Sequence, residues 1–171
     1  MGYCDTWLKT SGLNWVEPEL QRDDTGSLEE LKIRQGSCKF GDQVLRKHKI
    51  DIALFDKAWQ VHVLKGVLLE DQPEQIISVG NQQDVQAVFL NVNDHGFLKV
   101  RIDQESLKAF RNLSKVEDKL TRRMLWQVLW EMVKDFTLSS IEFLELVEAN
   151  LLQETVDETL LVILARTQSI V

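Results

Sequence analysis

The chain has 171 residues, of which 44% are hydrophobic and 27% charged, a composition typical of folded proteins that excludes wholesale disorder. Its 20 Lys and Arg against 27 Asp and Glu give a net charge of −7, which argues against nucleic acid as the main partner. The two cysteines are too few for a disulfide framework and indicate a reducing compartment. No apolar run approaches the roughly 18 residues of a membrane span. We therefore expect a cytoplasmic protein that binds neither nucleic acid nor membrane.

Glycine and proline are confined to the first part of the chain, where all eight Gly and both Pro lie at or before Gly96. These residues mark turns and are excluded from helix interiors, so the sequence predicts strands first and helices second. The predicted fold class is α+β, an antiparallel β-sandwich followed by a small antiparallel α-helical domain. The predicted domains are a helical remnant at residues 1–13, the sandwich at 14–103 and the helical domain at 104–171.

The first part contains short apolar runs, several of which alternate with the period of two that is typical of strands. A helix tail from Asp5 to Ser11 is expected to end at Gly12 before them. About seven strands are predicted, at Trp15–Leu20, Leu28–Ile33, Val44–Leu54, Trp59–Lys65, Ile76–Val79, Val85–Leu90 and Phe97–Ile102. The segment from Asp23 to Ser27 is a strong hairpin-turn signal between the first two.

Four helices are predicted after residue 103, at 104–113, 115–135, 140–152 and 156–168. Asp103 is the predicted N-cap of the first helix. Three capping boxes are predicted for the others, pairing Ser114 with Glu117, Ser139 with Glu142 and Thr155 with Glu158. The second helix has a wide apolar face made of Val116, Leu120, Met124, Leu125, Val128, Leu129, Met132 and Val133. Short loops between the helices predict antiparallel packing.

The sequence contains no recognisable reaction centre. A common zinc peptidase needs His-Glu-x-x-His on a helix, whereas His48, His62 and His95 are followed by Lys, Val and Gly. Cys4 and Cys38 are too far apart for a cysteine zinc site. There is no nucleophile elbow, no phosphate-binding glycine loop and no dinucleotide fingerprint. We therefore predict no catalytic, metal-binding or cofactor-binding residue in this chain.

Two histidines and one pair of tryptophans have both a structural and a functional interpretation. His48 shares the apolar face of its predicted strand with Ile50, which favours a structural role over a catalytic one, while Lys49 and Asp51 share the other face. His95 lies in a turn-like sequence at the start of a strand. Trp126 and Trp130 are four apart on one helix, where core packing is favoured over a partner-binding stripe.

Two short modification motifs are also present. Gly2 and Thr6 fit the N-myristoylation pattern, with Cys4 nearby for a second acyl chain, which makes an acylated membrane-associated protein a third interpretation. No polybasic segment follows to support a single acyl chain. Asn112–Ser114 matches the N-glycosylation acceptor, but no secretory signal opens the chain, so we treat this match as chance.

Four segments, in order along the chain, resemble aminopeptidase N-type zinc metallopeptidases. Residues 7–14, followed by the extended residues 18–20, resemble the helix end that leaves the catalytic domain of that family. Residues 26–35 resemble the first hairpin of its β-sandwich, which ends in a Gln. Residues 90–103 resemble its Asn-rich turn, with the Val-Arg order typical of the actinobacterial type. Residues 117–135 resemble the first long helix of its C-terminal helical domain.

This resemblance implies a metal-dependent exopeptidase that removes N-terminal amino acids from peptides. The family's zinc ligands, general-base Glu, amine-binding loop and transition-state Tyr belong to upstream domains that this chain lacks, so no catalytic residue is carried over. The expected role is a non-catalytic C-terminal region that braces the catalytic domain, its partner in cis, and helps enclose the peptide cavity. The peptide substrate would be contacted only indirectly, and zinc would be bound by the absent domain.

The last predicted helix, with apolar residues from Leu160 to Leu164, is apolar on most sides and has no cap after it. Such a helix is normally buried, so we expect further C-terminal helices to cover it, or self-association through this exposed helical face. The alternative to an enzyme segment is a free-standing protein-interaction module with the same fold and no enzymatic activity.

Overall fold

The computed structural model describes residues 3–82 and 84–170, in two compact units, one through Ser106 and the other from Leu107. The first unit contains α1 (Tyr3–Leu8), β1 (Asn14–Arg22), β2 (Leu28–Ser37), β3 (His48–Asp56), β4 (Val61–Leu69), β5 (Glu74–Gln82), β6 (Val85–Leu90) and β7 (Lys99–Val100). The division falls within α2 (Gln104–Ala109), and the second unit contains α3 (Lys119–Lys134), α4 (Ser140–Asn150) and α5 (Asp157–Gln168). The predicted class of strands followed by helices is confirmed.

The strands of the first unit form two sheets, ordered β5-β2-β1-β7 and β4-β3-β6. The pairings are antiparallel except between β1 and β7, which run parallel with Trp15 opposite Lys99. The seventh strand is shorter than the predicted Phe97–Ile102, because only Lys99 and Val100 pair with β1. Beyond them, the backbone N–H of Arg101 donates to the Val16 carbonyl at 2.8 Å.

The core of the first unit is built from alternating apolar residues of both sheets. Side chains that are at most 2% exposed include Val16, Leu31, Ile33, Ile50, Ile52, Leu54, Val88 and Leu90. The middle strand β3 is buried on both faces from Ile50 to Phe55. Asp51 was predicted to share a strand face with Lys49, but Asp51 is buried whereas Lys49 is exposed, and the register shifts between Ile50 and Ile52. The backbone N–H of Gly66 donates to the Asp51 carboxylate at 2.7 Å, which compensates for that burial.

The conformation of two turns determines where β2 and β4 begin. The Asp23 carboxylate accepts hydrogen bonds from the backbone N–H groups of Thr25 and Ser27, and Gly26 has a φ of 83°, so the predicted hairpin turn is confirmed. Trp59 was placed in the fourth strand, but its φ of 65° puts it in the turn before that strand. The fourth strand therefore begins at Val61.

Asp103 is the N-cap of α2, as predicted, because its carboxylate accepts from the backbone N–H groups of Glu105 and Ser106 at 2.9 Å each. The α-helix is shorter than expected, since a 3₁₀ segment from Phe110 to Lys115 replaces its second half. The Ser106 hydroxyl also accepts from the Val88 N–H at 2.9 Å, which satisfies a donor on the edge strand β6.

Only one of the three predicted capping boxes is formed. Ser139 and Glu142 make the reciprocal bonds of a capping box at the start of α4. The box at Ser114 is wrong, because α3 begins at Lys119 and is capped by Asp118, which accepts from the Thr121 N–H at 2.6 Å. The box at Thr155 is also wrong, because the N-cap of α5 is Val156, which makes no side-chain cap bond.

The core of the helical unit forms where α3 meets α4. The buried apolar residues of α3 are Leu125, Trp126, Leu129 and Met132. Phe143 of α4 is fully buried between the two tryptophans, with ring centroids 6.0 Å from Trp126 and 5.5 Å from Trp130. The core interpretation of this Trp pair is therefore confirmed. The apolar face of α3 is narrower than predicted, because Leu120 is 61% exposed.

Candidate functional site

Among the residues considered for chemistry, His48 and His95 line the same surface cavity, whereas His62 and Cys38 are not part of that lining. No group of three or more His, Cys, Asp or Glu side chains within residues 3–82 and 84–170 has the arrangement of a metal site. His62 is exposed on β4, and Cys38 is a half-buried free thiol. The candidate acylation motif depends on Gly2, which lies outside the described residues. No described helix has the length and apolar character needed to cross a membrane.

The most elaborate polar arrangement in the first unit lies where the chain passes from α1 into β1. We call it the junction cluster, formed by Trp7, Thr10, Asn14, Arg46 and His48. Asn14, which is 1% exposed, donates through Nδ2 to the Val44 carbonyl at 2.7 Å. Its Oδ1 accepts from the Arg46 backbone N–H at 3.1 Å and lies 3.3 Å from His48 Nε2. One amide side chain thus ties the first strand to the segment before β3.

Arg46 is the charged centre of the junction cluster and is 2% exposed. Its Nη2 donates to the Thr10 hydroxyl at 2.6 Å and to the Ser11 carbonyl at 3.0 Å. Its guanidinium lies 5.4 Å from the centre of the Trp7 ring, a cation–π contact. Because Thr10 and Ser11 follow directly after α1, a buried side chain of the sandwich holds the chain segment that enters it.

A second contact holds the same entry segment at the surface. The Asp42 carboxylate accepts from the backbone N–H of Ser11 at 2.7 Å and from its hydroxyl at 3.1 Å. Those two bonds hold the pKa of Asp42 below its ordinary value. Gly12 has a φ of 87°, and a Cβ at this position would lie 2.9 Å from the Phe40 carbonyl oxygen. Helix α1 ends at Leu8, before the predicted end at Ser11, and Gly12 lies in the segment that leads into β1.

His48 has the structural role expected for it. It is 3% exposed and meets the Trp7 ring edge-on, with centroids 5.3 Å apart and an interplanar angle of 88°. Burial, with a smaller contribution from the Arg46 charge, lowers the pKa of His48 to about 4. His48 is therefore neutral at pH 7 in the folded protein. Since Asn14 Oδ1 can only accept, His48 donates to it through Nε2.

The lowered pKa of His48 predicts a pH-dependent stability. The unfolded chain takes up the proton near the ordinary pKa of 6.5, whereas the folded chain does so only near 4. The stabilisation is complete above pH 6.5 and falls by about 3 kcal/mol in all as the pH drops to 4. Urea unfolding at several pH values should show this loss in the parent chain and lack it in His48→Gln. His62→Gln, at an exposed position, should keep the pH dependence of the parent.

The junction cluster lies beside a surface cavity of about 410 Å³. Its lining residues are Trp7, Lys47, His48, Lys49, Leu68, His95, Gly96 and Phe97. Lys47 of this lining pairs with Glu70, and His95 Nδ1 lies 3.6 Å from Asp51 Oδ2. His95 is 62% exposed and follows the turn at residues 91–93. The cavity brings basic and aromatic side chains together, and the acidic partners Glu70 and Asp51 are not among its lining residues.

The second unit is held by a buried ion pair. Arg122 binds Glu154 through two parallel bonds of 2.9 Å, and the two side chains are 9% and 3% exposed. Glu154 also accepts from the backbone N–H groups of Thr155 and Val156 at 2.9 and 3.1 Å. The Glu154 carboxylate therefore accepts from backbone N–H groups before α5, a role that the predicted Thr155 capping box does not fill.

The exposed residues of the helical unit include apolar side chains on the last helix. Only Thr159 and Ile163 of α5 are buried, while Leu161 is 67% and Leu164 is 45% exposed. The groove between α3 and α5, of about 210 Å³, is lined by Leu120, Arg123, Met124, Trp126, Gln127, Thr159, Val162 and Arg166. These exposures agree with the expectation that α5 has apolar surface that the helical unit itself does not cover.

Comparisons with known proteins find similarity to aminopeptidase-type proteins. Residues 87–171 match the ERAP1-like C-terminal domain family. Aminopeptidase N of Streptomyces lividans is 28% identical over 163 residues, which is 90% of this chain and 19% of that protein. A crystal structure of Legionella pneumophila aminopeptidase A in complex with aspartic acid shares the fold, with a TM-score of 0.54 and 18% identity over 92% of this chain and 18% of that chain. The chain spans about a fifth of the relative's length, and the predicted resemblance is confirmed.

Proposed function

Because this chain is a relative of the C-terminal region of aminopeptidase N-type peptidases, we propose that it is the non-catalytic part of a zinc-dependent aminopeptidase. Its sandwich braces a catalytic domain joined to it in cis, and its helical unit helps enclose the peptide cavity. The parent enzyme would remove N-terminal residues from peptides in the cytoplasm. Zinc would be held by the catalytic domain, since the described residues of this chain offer no matching set of ligands.

The junction cluster is the observation that carries the bracing role. Arg46 holds the segment before β1 through hydrogen bonds to Thr10 and Ser11, and Trp7 packs on both His48 and Arg46. Asn14 ties β1 to the segment before β3. A linker that only tethered two domains would not need these hydrogen bonds and ring contacts. A rigid entry segment fixes the direction from which a preceding domain reaches the sandwich, which is what a brace requires.

The proposal predicts that the isolated chain is inactive. Purified and protease-free, it should release no product from an aminoacyl-anilide and bind no stoichiometric zinc by elemental analysis. Its circular dichroism spectrum serves as the control that it is folded. Robust hydrolysis, or one tightly bound zinc per chain, would contradict the non-catalytic role.

The alternative, a free-standing interaction module, is favoured by the exposed Leu161 and Leu164 on α5. Sequencing the transcript upstream of Met1 separates the two candidates. An in-frame catalytic domain with His-Glu-x-x-His supports the enzyme segment, whereas a stop codon followed by a start at Met1 supports the module.

Self-association through the helical face is a further part of the proposal. We expect sedimentation equilibrium to show concentration-dependent dimers that the substitution Leu161→Glu removes, because a charge in an apolar interface is poorly tolerated. The matched control is Glu158→Gln, which changes an exposed residue of the same helix without adding a charge. A parent chain that stays monomeric at high concentration would contradict self-association.

A further inference from the structure

The cavity beside the junction cluster combines an apolar wall with an unpaired cation. Its size is within the range of small-molecule sites. Trp7, Leu68 and Phe97 supply the apolar wall, and Leu68 and Phe97 are 50% and 72% exposed. Exposed aromatic and aliphatic side chains around a concave surface are unfavourable in water unless something covers them. The apolar wall therefore favours a ligand with an aromatic or aliphatic group.

The basic side chains of the cavity differ in whether they have acidic partners. Lys47 pairs with Glu70, and His95 faces Asp51, whose carboxylate also accepts from the amides of Gly66 and Asn93. Lys49, by contrast, makes no ion pair or hydrogen bond within the described part of the chain. It lies on β3 directly opposite Leu68 of β4, and both residues line the cavity. Its ammonium is therefore available to an anion in the cavity.

Arg46 adds a second, buried positive charge next to the cavity. No acidic side chain among the described residues forms an ion pair with it, and its Nε and Nη1 have no hydrogen-bond partner there. It packs on Trp7, which lines the cavity, and its charge contributes to the lowered pKa of His48. The Asp42 carboxylate interacts electrostatically with Arg46 without forming an ion pair, so an anion placed nearby would still be attracted to the Arg46 charge.

We propose that this cavity binds a carboxylate carried on an aromatic or aliphatic group. The carboxylate accepts a charge-assisted hydrogen bond from Lys49 Nζ, while the apolar group packs against Trp7, Leu68 and Phe97. His48, which donates through Nε2 to Asn14, retains an acceptor at Nδ1 for a ligand N–H. The inference goes beyond the proposed function, although the cavity shares Trp7 and His48 with the junction cluster.

The test is a titration of the isotope-labelled chain with N-acetyl-phenylalanine, followed by NMR. Saturable shifts are expected at the Trp7 indole, the His95 ring and the Phe97 ring at millimolar concentrations. The uncharged amide of the same compound should bind about tenfold more weakly, the effect of losing about one ion pair of 1.4 kcal/mol. Absence of shifts at these three residues, or equal binding of the amide, would overturn the proposal.

Two variants assign the anion contact to one side chain. Lys49→Gln should weaken binding of N-acetyl-phenylalanine about fivefold, as expected for a partly exposed charge pair. Lys119→Gln, the same change at an exposed position in the helical unit, should leave binding unchanged. Unaltered binding in Lys49→Gln would also overturn the proposal.

A further titration distinguishes two sources of the carboxylate. A Phe-Glu dipeptide blocked at both ends carries its only carboxylate on a side chain, whereas N-acetyl-phenylalanine presents a terminal carboxylate. Tighter binding of the dipeptide would indicate an acidic side chain of a neighbouring polypeptide segment. Tighter binding of N-acetyl-phenylalanine would indicate a free acid or a peptide C-terminus.

Discussion

Replacement of Arg122 by alanine is expected to destabilise the helical unit by about 3–5 kcal/mol, because it leaves the carboxylate of Glu154 buried without its cation. The substitution also removes the Arg122 Nη1 donor from the Val116 carbonyl, a bond of 2.6 Å. Urea unfolding followed by circular dichroism at a helical wavelength measures the change. A loss below about 1 kcal/mol would mean that the pair behaves like a surface ion pair.

Two controls separate burial from charge in this prediction. Arg111→Ala removes an arginine from an exposed pair with Glu145, 3.1 Å apart, and should cost at most about 1 kcal/mol. The double variant Arg122→Met with Glu154→Leu should recover most of the loss, because replacing both members of a buried pair leaves no unpaired charge. A double variant as unstable as Arg122→Ala would contradict this explanation.

The Arg122 effect should also depend on pH in a defined direction. Burial acts to raise the pKa of Glu154, but the bonds from Arg122 and from two backbone N–H groups outweigh it and lower that pKa below 4.5. The stabilisation is therefore complete above pH 4.5 and is lost as the pH falls through the folded-state value. The difference between the parent chain and Arg122→Ala should shrink in that acidic range.

Replacement of Asn14 by alanine is expected to destabilise the sandwich unit by about 2–6 kcal/mol. Two buried backbone groups, the Arg46 N–H and the Val44 carbonyl, would lose their partner, and each unsatisfied group costs about 1–3 kcal/mol. Hydrogen exchange at the Arg46 amide measures the loss locally. Tryptic cleavage after Lys9, which follows α1, should become faster because the entry segment loses part of its support.

The matched control for Asn14 is Asn112→Ala, which removes the same amide from an exposed position and should change stability by no more than about 0.5 kcal/mol. Protection of the Arg46 amide that is unchanged in Asn14→Ala would contradict the role assigned to the junction cluster. In a polypeptide that joins this chain to a catalytic domain, the same substitution should lower kcat if the sandwich acts as a brace.

Much of the fold could be predicted because its signals are local. The absence of Gly and Pro after Gly96 places the helices, and the Asp23 turn and the Ser139 capping box depend on residues that are neighbours in sequence. The boxes at Ser114 and Thr155 have the same spacing and do not form. Asp118 and Glu154 take over these helix starts, and Arg122 binds Glu154 from 32 residues away.

The sequence by itself determined the order of strands and helices and the resemblance to aminopeptidase N-type peptidases. These conclusions depend on hydrophobic periodicity, turn residues and short sequence motifs, which are properties of neighbouring residues. Only the tertiary structure decided which polar side chains are buried and hydrogen-bonded. Arg46 stands in a run of charged residues that is typical of a solvated strand, yet it is buried against Trp7, 39 positions earlier, and bonded to Thr10 and Ser11. A charge becomes structurally important when folding removes it from water, and that depends on distant residues that no local pattern specifies.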